Sequence, residues 1–240
     1  MEYQVFALKW RPQDFDEVVG QDEIITCLKN AILHKRLPYA FLFSGPHGVG
    51  KTSTARILAK SLNCQQGPTI KPCQKCSNCI EITESRSLDV IEIDGASNRG
   101  IDEIRTLREN VKFAPTKSRF KIYIIDEIHM LTTEAFNALL KTLEEPPPFV
   151  KFIFATTQSN KVIPTILSRC QRFNFKRISI NKITEQLKKI ISYQNIEIGD
   201  EILLSVARAS QGSLRDAETI LEQLLAFKKE NLSINDLMSV

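Results

Sequence analysis

"YAFLFSGPHGVGKTSTARILAKSLN" spans residues 39–63, and its middle, GPHGVGKT (45–52), decides the fold. An apolar run at 39–44 reads as a buried strand. A helical pattern follows at 52–63, with Ala55, Leu58, Ala59 and Leu62 on one face. Between them the eight residues fit G-x-x-x-x-G-K-[ST], the loop that holds nucleotide phosphates. In that reading the backbone of Gly45, Pro46, His47, Gly48, Val49 and Gly50 wraps the phosphates. Lys51 brings a charge to the β and γ oxygens, and the Thr52 hydroxyl ligates Mg²⁺. The helix that starts there adds the positive end of its dipole. A glycine-rich strand-to-helix turn is common; the preceding strand and following helix make this one specific. The expected ligand is ATP with Mg²⁺.

Such a loop needs an acidic partner at the end of a neighbouring strand. "KIYIIDE" supplies it: Asp126 closes the strand and can hold the Mg²⁺ water shell, and Glu127 can polarise an attacking water. His47 and His129 read as bystanders apart from the backbone of His47, since a neutral imidazole adds little beside these groups. "DVIEID" (89–94) and "KFIFATT" (151–157) are further strands. They alternate with the helical patterns "GIDEIRTLRENVKF" and "TTEAFNALLKTLEE", the second stopped by Pro146, Pro147 and Pro148. The expected fold is α/β, a parallel sheet covered by helices. Beyond "CQRFNFKR" (170–177) the strands cease, and three amphipathic patterns predict a small helical bundle. We place the division near 178, giving a nucleotide-binding core over 1–178 and a helical domain over 179–240.

"CQQGPTIKPCQKCSNC" (64–79) interrupts this order with four of the chain's six cysteines. The spacing C-x8-C-x2-C-x2-C in Cys64, Cys73, Cys76 and Cys79 suits tetrahedral Zn²⁺, and a closed four-thiolate shell leaves no position for a substrate. The site is therefore expected to be structural. A redox C-x-x-C pair would use two cysteines, and nothing in the sequence asks for an iron–sulfur centre. The insert has few apolar residues, so a metal would supply the folding energy that a core cannot. Cys27 and Cys170 are expected to be small buried residues.

Net charge is +4, unevenly spread: residues 179–240 hold 7 Lys and Arg against 9 Asp and Glu, leaving 25 against 19 before them. A mildly basic body is compatible with a nucleic-acid partner and equally with plain solubility. The opening MEYQVFALKW lacks the pattern of a secretory signal, and no apolar run approaches the roughly 18 residues of a membrane span. We expect a cytoplasmic protein with no membrane partner, whose thiols stay reduced.

GPHGVGKT, DEIH (126–129), SRC (168–170) and GSLRDA (212–217), with the four-cysteine insert, resemble the AAA+ ATPases of DNA clamp loaders, in particular the gamma/tau family of bacterial DNA polymerase III. "KWRPQDFDEVVGQ" (9–21) and "LLKTLEEPP" (139–147) belong to the same pattern. The resemblance implies an AAA+ core carrying a zinc module at 64–79, then a helical lid. It implies that Thr157 watches the γ-phosphate, that Arg169 is a finger offered to the neighbouring subunit's ATP, and that Arg215 senses ATP from the lid. Trp10–Pro12 and Val18–Gln21 would flank the adenine. The implied partners are other clamp-loader subunits, the sliding clamp and primer-template DNA. Asn98, Arg99 and Arg105, near one helix start, are candidates for DNA backbone contacts, with pairing to neighbouring acids as the plainer reading. The family continues into a helical oligomerisation domain beyond the equivalent of Val240. Another AAA+ nucleic-acid motor, or a non-hydrolysing scaffold subunit, are the alternatives, and the complete set Lys51, Thr52, Asp126 and Glu127 argues against the scaffold.

Overall fold

A computed structural model describes residues 4–97, 100–194 and 196–227, with side chains omitted at 101–103. The strands are β1 (Ala40–Ser44), β2 (Val90–Asp94), β3 (Lys121–Asp126), β4 (Val150–Thr156) and β5 (Gln171–Asn174). They form one sheet in the order β2-β3-β4-β1-β5, parallel at every pairing. A parallel sheet is covered on both faces, which is why β1, β3 and β4 read as unbroken apolar runs. Alternate residues serve opposite cores. Phe41, Phe43, Ile122, Ile124 and Ile153 face α2 (Asp22–Leu33) and α3 (Lys51–Asn63). Leu42, Tyr123, Ile125, Phe152 and Phe154 face α5 (Ile101–Asn110) and α6 (Thr133–Glu144).

The expected single buried face of α3 is too narrow a description. Ala55, Leu58, Ala59 and Leu62 are buried as expected, but so are Lys60, Ser61 and Asn63. The sheet covers one side, and α4 (Ser77–Thr83), inside the cysteine insert, covers another. Asn63 Nδ2 donates to Phe120 O at 2.8 Å, and Asn78 Nδ2 to Asn63 O at 2.7 Å, so the polar residues of that end are satisfied.

After the short α7 (Pro164–Leu167) and β5, helices α8 (Ile180–Gln194), α9 (Asp200–Ala209) and α10 (Leu214–Phe227) build a third apolar cluster. Ile183, Leu187, Leu203, Val206, Leu221 and Leu224 form its centre. Phe6 of α1 (Phe6–Lys9), Trp10 and Val19 pack against this cluster as well, so the chain's first segment joins the helical bundle in space. Periodicity within either segment carries no sign of that partnership.

Candidate functional site

The loop after β1 turns under glycine control. Gly50, the N-cap of α3, holds φ 98°, a left-handed conformation that glycine adopts without cost. Gly48 is pressed by the lid: a Cβ there would stand 1.9 Å from Ser213 Oγ. Leu214 N donates to Gly48 O at 3.0 Å, so the first turn of α10 is bonded directly to the glycine-rich loop. Lys51 Nζ donates to Gly45 O at 2.8 Å and Pro46 O at 2.7 Å. Burial lowers its pKa, and the nearby Glu127 and Asp126 pull it back.

Because β1 and β3 flank β4 in one parallel sheet, their C-terminal ends lie on the same edge, where ligands of such sheets bind. Thr52 Oγ1 donates to Asp126 Oδ2 at 2.6 Å, bringing a hydroxyl and a carboxylate together as a Mg²⁺ shell requires. Glu127 follows in a left-handed conformation, φ 44° and ψ 47°. Its Oε2 accepts from Thr157 N at 3.1 Å and Thr157 Oγ1 at 3.0 Å. The acid that follows β3 is therefore tied to the residue that follows β4.

The bystander reading of His129 is corrected here. Its buried ring places Nδ1 3.1 Å from Glu127 Oε2 and 3.0 Å from Thr156 Oγ1, inside the shell that orients Glu127. His47 is mostly exposed, with Nδ1 3.8 Å from Glu127 Oε1. The three-residue step from Asp126 to His129 crosses a single 3-10 turn (Ile128–Met130), which folds the ring back over the acid.

A cleft of about 780 Å³ joins these groups to the lid. Arg215 lines it from α10, and Trp10, Arg11, Pro12, Val18 and Val19 line it from the chain's start. Gln21, expected beside them, does not. Its buried amide donates to Lys176 O at 2.8 Å and accepts from Lys176 N at 3.2 Å, fastening the N-terminal loop to the segment after β5. Arg169 also lies away from the cleft, with Nη2 2.6 Å from Glu144 Oε1 and Nη1 2.8 Å from Thr165 O. Arg105 sits on the exposed side of α5, whereas Asn98 and Arg99 fall outside the described residues. One cleft residue that sequence reading missed is Glu218, one turn beyond Arg215.

The four insert cysteines converge. Their Sγ atoms all lie within 4.8 Å of one another. Zinc–sulfur bonds of about 2.3 Å would need sulfurs roughly 3.8 Å apart, so the cluster closes around an ion with small shifts. Cys64 is the C-cap of α3 and Cys76 the N-cap of α4, which contains Cys79. Cys76 N points at Cys73 Sγ at 3.3 Å and Cys73 N at Cys64 Sγ at 3.5 Å, donors that favour thiolates. Backbone N–H groups of Lys75 and Cys76 bring the Cys73 thiol down to about 6, while burial raises that of Cys79. The donor set fits Zn²⁺. Beside it, buried Lys60 donates to Gln13 Oε1 at 2.8 Å and Gln74 Oε1 at 2.9 Å, linking the P-loop helix, the insert and the N-terminal segment. Cys170 is half-buried, its thiol pushed up to about 12 by burial. Cys27 contradicts expectation and is exposed: α2 buries Ile25, Leu28 and Ile32, and Cys27 falls off that stripe.

A parallel five-stranded sheet of this order, with a glycine-rich loop between β1 and α3 and a helical lid packed on that loop, defines the AAA+ fold. The same fold is seen in the Holliday junction branch migration motor RuvB of Thermotoga maritima, at TM-score 0.69 and 21% identity over 97% of this chain and 72% of that one. Residues 20–179 match the family model "DNA polymerase III, delta subunit", and 182–230 match "DNA polymerase III clamp loader subunit, ATPase lid domain". The chain belongs to the DNA polymerase III clamp-loader subunit family. It is 48% identical to DNA polymerase III subunit tau of Bacillus subtilis (100% of this chain, 43% of that protein). It is 51% identical to subunit tau of Escherichia coli (94% and 35%). With subunit gamma of Buchnera aphidicola from Baizongia pistaciae it shares 46% (97% and 63%). The chain thus spans between 35% and 63% of the length of these three relatives.

Proposed function

We propose that this chain is the ATP-binding and hydrolysing motor part of a bacterial replicative clamp-loader subunit of the gamma/tau type. The observation that carries the reading is the Thr52–Asp126 hydrogen bond at 2.6 Å, with Glu127 oriented beside it by Thr157 and His129. These groups do what ATP hydrolysis asks of a protein. The loop backbone and Lys51 would neutralise phosphate charge, and Asp126 with Thr52 would hold Mg²⁺, which would supply further positive charge against the phosphates. Glu127 is the acceptor for the proton of the attacking water. Its bonds to Thr157 connect that acceptor to the position where a γ-phosphate would be sensed.

Arg215 reaches the cleft from α10, whose first turn is bonded to Gly48, so the angle of the lid follows what occupies the loop. We take 1–178 as the core with its zinc module and 179–240 as the lid, acting as a cytoplasmic protein. The cysteine centre would hold Zn²⁺ as a structural staple. The proposed partners are the other clamp-loader subunits, the sliding clamp and primer-template DNA; ATP binding would assemble the open clamp on DNA and hydrolysis release it. A scaffold without hydrolysis would have no use for Glu127 in this setting.

Arg169 tests the reading at the level of the assembly. A guanidinium aimed at developing γ-phosphate charge in a neighbouring site is worth about 10³–10⁵ in rate. In this chain it is spent on an exposed pair with Glu144. Arg169→Ala should leave ATP binding to the lone chain within about twofold and depress steady-state hydrolysis of the full loader, with clamp and primed DNA, by two orders of magnitude or more. Equal hydrolysis by mutant and wild-type assemblies would remove the finger from the mechanism. Absence of ATP-dependent clamp loading by the wild-type assembly would reject the function.

A further inference from the structure

Glu218 is a carboxylic acid that the proposed chemistry does not use. It is 5% exposed and stands on α10, yet it lines the cleft. Among the described residues its carboxyl group has no hydrogen-bond partner. The neighbouring acid on the same helix is accounted for: Glu222 Oε1 accepts from Phe6 N at 3.2 Å, where α1 packs on α10. The Glu218 oxygens are not among the enclosed, unsatisfied polar atoms of the described residues, so they open onto the cleft, under the pull of Arg11, where a bound ligand can meet them.

Its position indicates what that ligand is. Arg215, three residues earlier, sits at Gly48 by the phosphate loop. One helical turn of about 4.5–5.4 Å carries Glu218 away from the phosphates along α10. Around that part of the cleft the walls come from Trp10, Pro12, Val18, Val19, Ile178 and Leu214, which suit a flat apolar ring. Glu218 shares the cleft with Arg11, which also feels the charges of Arg56, Glu92 and Arg215. A nucleotide whose phosphates are fixed at Gly48–Thr52 must send its nucleoside towards a wall of the same cleft, and this is the wall with both an apolar surface and a waiting polar atom.

We propose that the Glu218 carboxyl group hydrogen-bonds the nucleoside half of the bound nucleotide and determines which nucleosides the cleft accepts. The inference rests on the nucleotide-binding function proposed above. Burial holds the acid far above the usual carboxylate range, to about 8, with Arg11 pulling it down and Glu222 pushing it up. A protonated carboxyl group offers one donor and one acceptor. Adenine's amine edge is complementary to that pair, presenting an N–H donor beside a ring-nitrogen acceptor. Guanine's corresponding edge presents two donors next to its carbonyl and suits an ionised carboxylate instead. Ribose hydroxyls can also donate to the same oxygen, so the shared chemistry is a nucleoside hydrogen-bond donor and the experiment separates its two sources.

The test is titration of the wild-type chain, Glu218→Gln and Glu218→Leu with the Mg²⁺ complexes of ATP, 2′-deoxy-ATP, GTP and purine riboside triphosphate, which lacks the exocyclic amine. Wild type should bind ATP about tenfold more tightly than whichever analogue lacks the donor that Glu218 uses. Glu218→Leu should lose that tenfold for ATP and bind that same analogue as wild type does. Glu218→Gln, which keeps one donor and one acceptor, should stay within about threefold of wild type. Loss of discrimination against purine riboside triphosphate assigns the base amine, and loss against 2′-deoxy-ATP assigns the ribose. Equal wild-type affinity for ATP and both analogues would overturn the proposal without any variant having to fold. So would unchanged ATP affinity in a folded Glu218→Leu. Failure of the wild type to bind ATP at all would instead overturn the nucleotide function beneath it.

Discussion

Helix α3 begins at the proposed phosphate loop and ends at the cysteine cluster, and its two ends are stabilised by opposite means. At Gly50 the chain is shaped by backbone freedom and by the strands beneath it: β1 and β4 are buried along nearly their whole length. The loop keeps its form because the sheet beside it has nowhere else to go. At Cys64 the apolar residues run out. Within the insert Ile82 is buried, but Ile80 is 41% exposed, and the interior positions belong to Cys64, Cys79 and Asn78. A segment that cannot bury enough apolar surface needs another source of folding energy, and thiolate–metal bonds at the proposed zinc site would supply it. The difference predicts that damage to one end of the helix should not spread to the other.

The largest effect is expected at the cysteine end. Apparent zinc affinities of small Cys/His domains correspond to about 10–16 kcal/mol, more than any single contact in the core supplies. Purified protein should carry about one zinc per chain, and Cys79→Ser or a strong chelator should remove it. Limited proteolysis should then cut within 64–79 while the helical and strand signal of the core persists. ATP affinity should stay within about threefold. If it falls away together with the zinc, the two ends of α3 are one cooperative unit and the comparison fails.

The reverse experiment is smaller. Lys51→Ala removes a cation that would face two phosphate oxygens, and charged hydrogen bonds contribute about 1.5–3 kcal/mol each. We expect at least a hundredfold weaker Mg²⁺–ATP binding by calorimetry, with zinc content and thermal stability unchanged. Undiminished affinity would reject the loop as the phosphate site.

How much of this was legible from the chain follows the same division between local and distant. GPHGVGKT and the cysteine spacing carry their geometry in neighbouring residues, so the loop, its helix and the four thiols could be placed together. The strands were legible because a parallel sheet buries both faces and leaves apolar runs. The tying of Glu127 to Thr157, 30 residues on, depends on β3 lying beside β4. Arg11 acts on the charge of Glu218 because the N-terminal segment packs on α10, and no periodicity encodes that. Gln21 is read as a ligand neighbour by its motif, yet its amide is consumed by the Lys176 backbone 155 residues away. Cys27 is a different case. The stripe Ile25, Leu28, Ile32 was available in the sequence and excludes it from the buried face.

Asp89 gives the smallest of these effects and the sharpest test of where core ends and insert begins. It stands just before β2, buried, and receives three backbone N–H groups from the loop leading to β3. Thr116 N reaches Oδ1 at 2.7 Å, and Lys117 N and Ser118 N reach Oδ2, each at 2.8 Å. Burial alone would raise its pKa, but these donors outweigh it and the carboxyl group titrates below its usual range. The same loop sends Lys117 Nζ to within 3.2 Å of Glu81 Oε1 on α4, so it touches both regions. Asp89→Asn keeps the volume but sets an amide donor against N–H donors, which should cost about 2 kcal/mol at pH 7. Because the folded-state pKa is depressed, the carboxylate's contribution is fully present above the unfolded value of about 3.9. It is lost as pH falls through the folded value. The stability gap between wild type and variant, from urea unfolding, should therefore be flat from pH 7 to about 5 and close below about pH 4. Zinc content should not change, since this loop reaches the ligands only through backbone, Arg119 Nη1 donating to Cys64 O at 2.8 Å. A gap that persists unchanged to pH 2 would show that the charge of Asp89 is not what holds the loop. Loss of zinc in the variant would move Asp89 from the core to the insert and redraw the line between the two ends of α3.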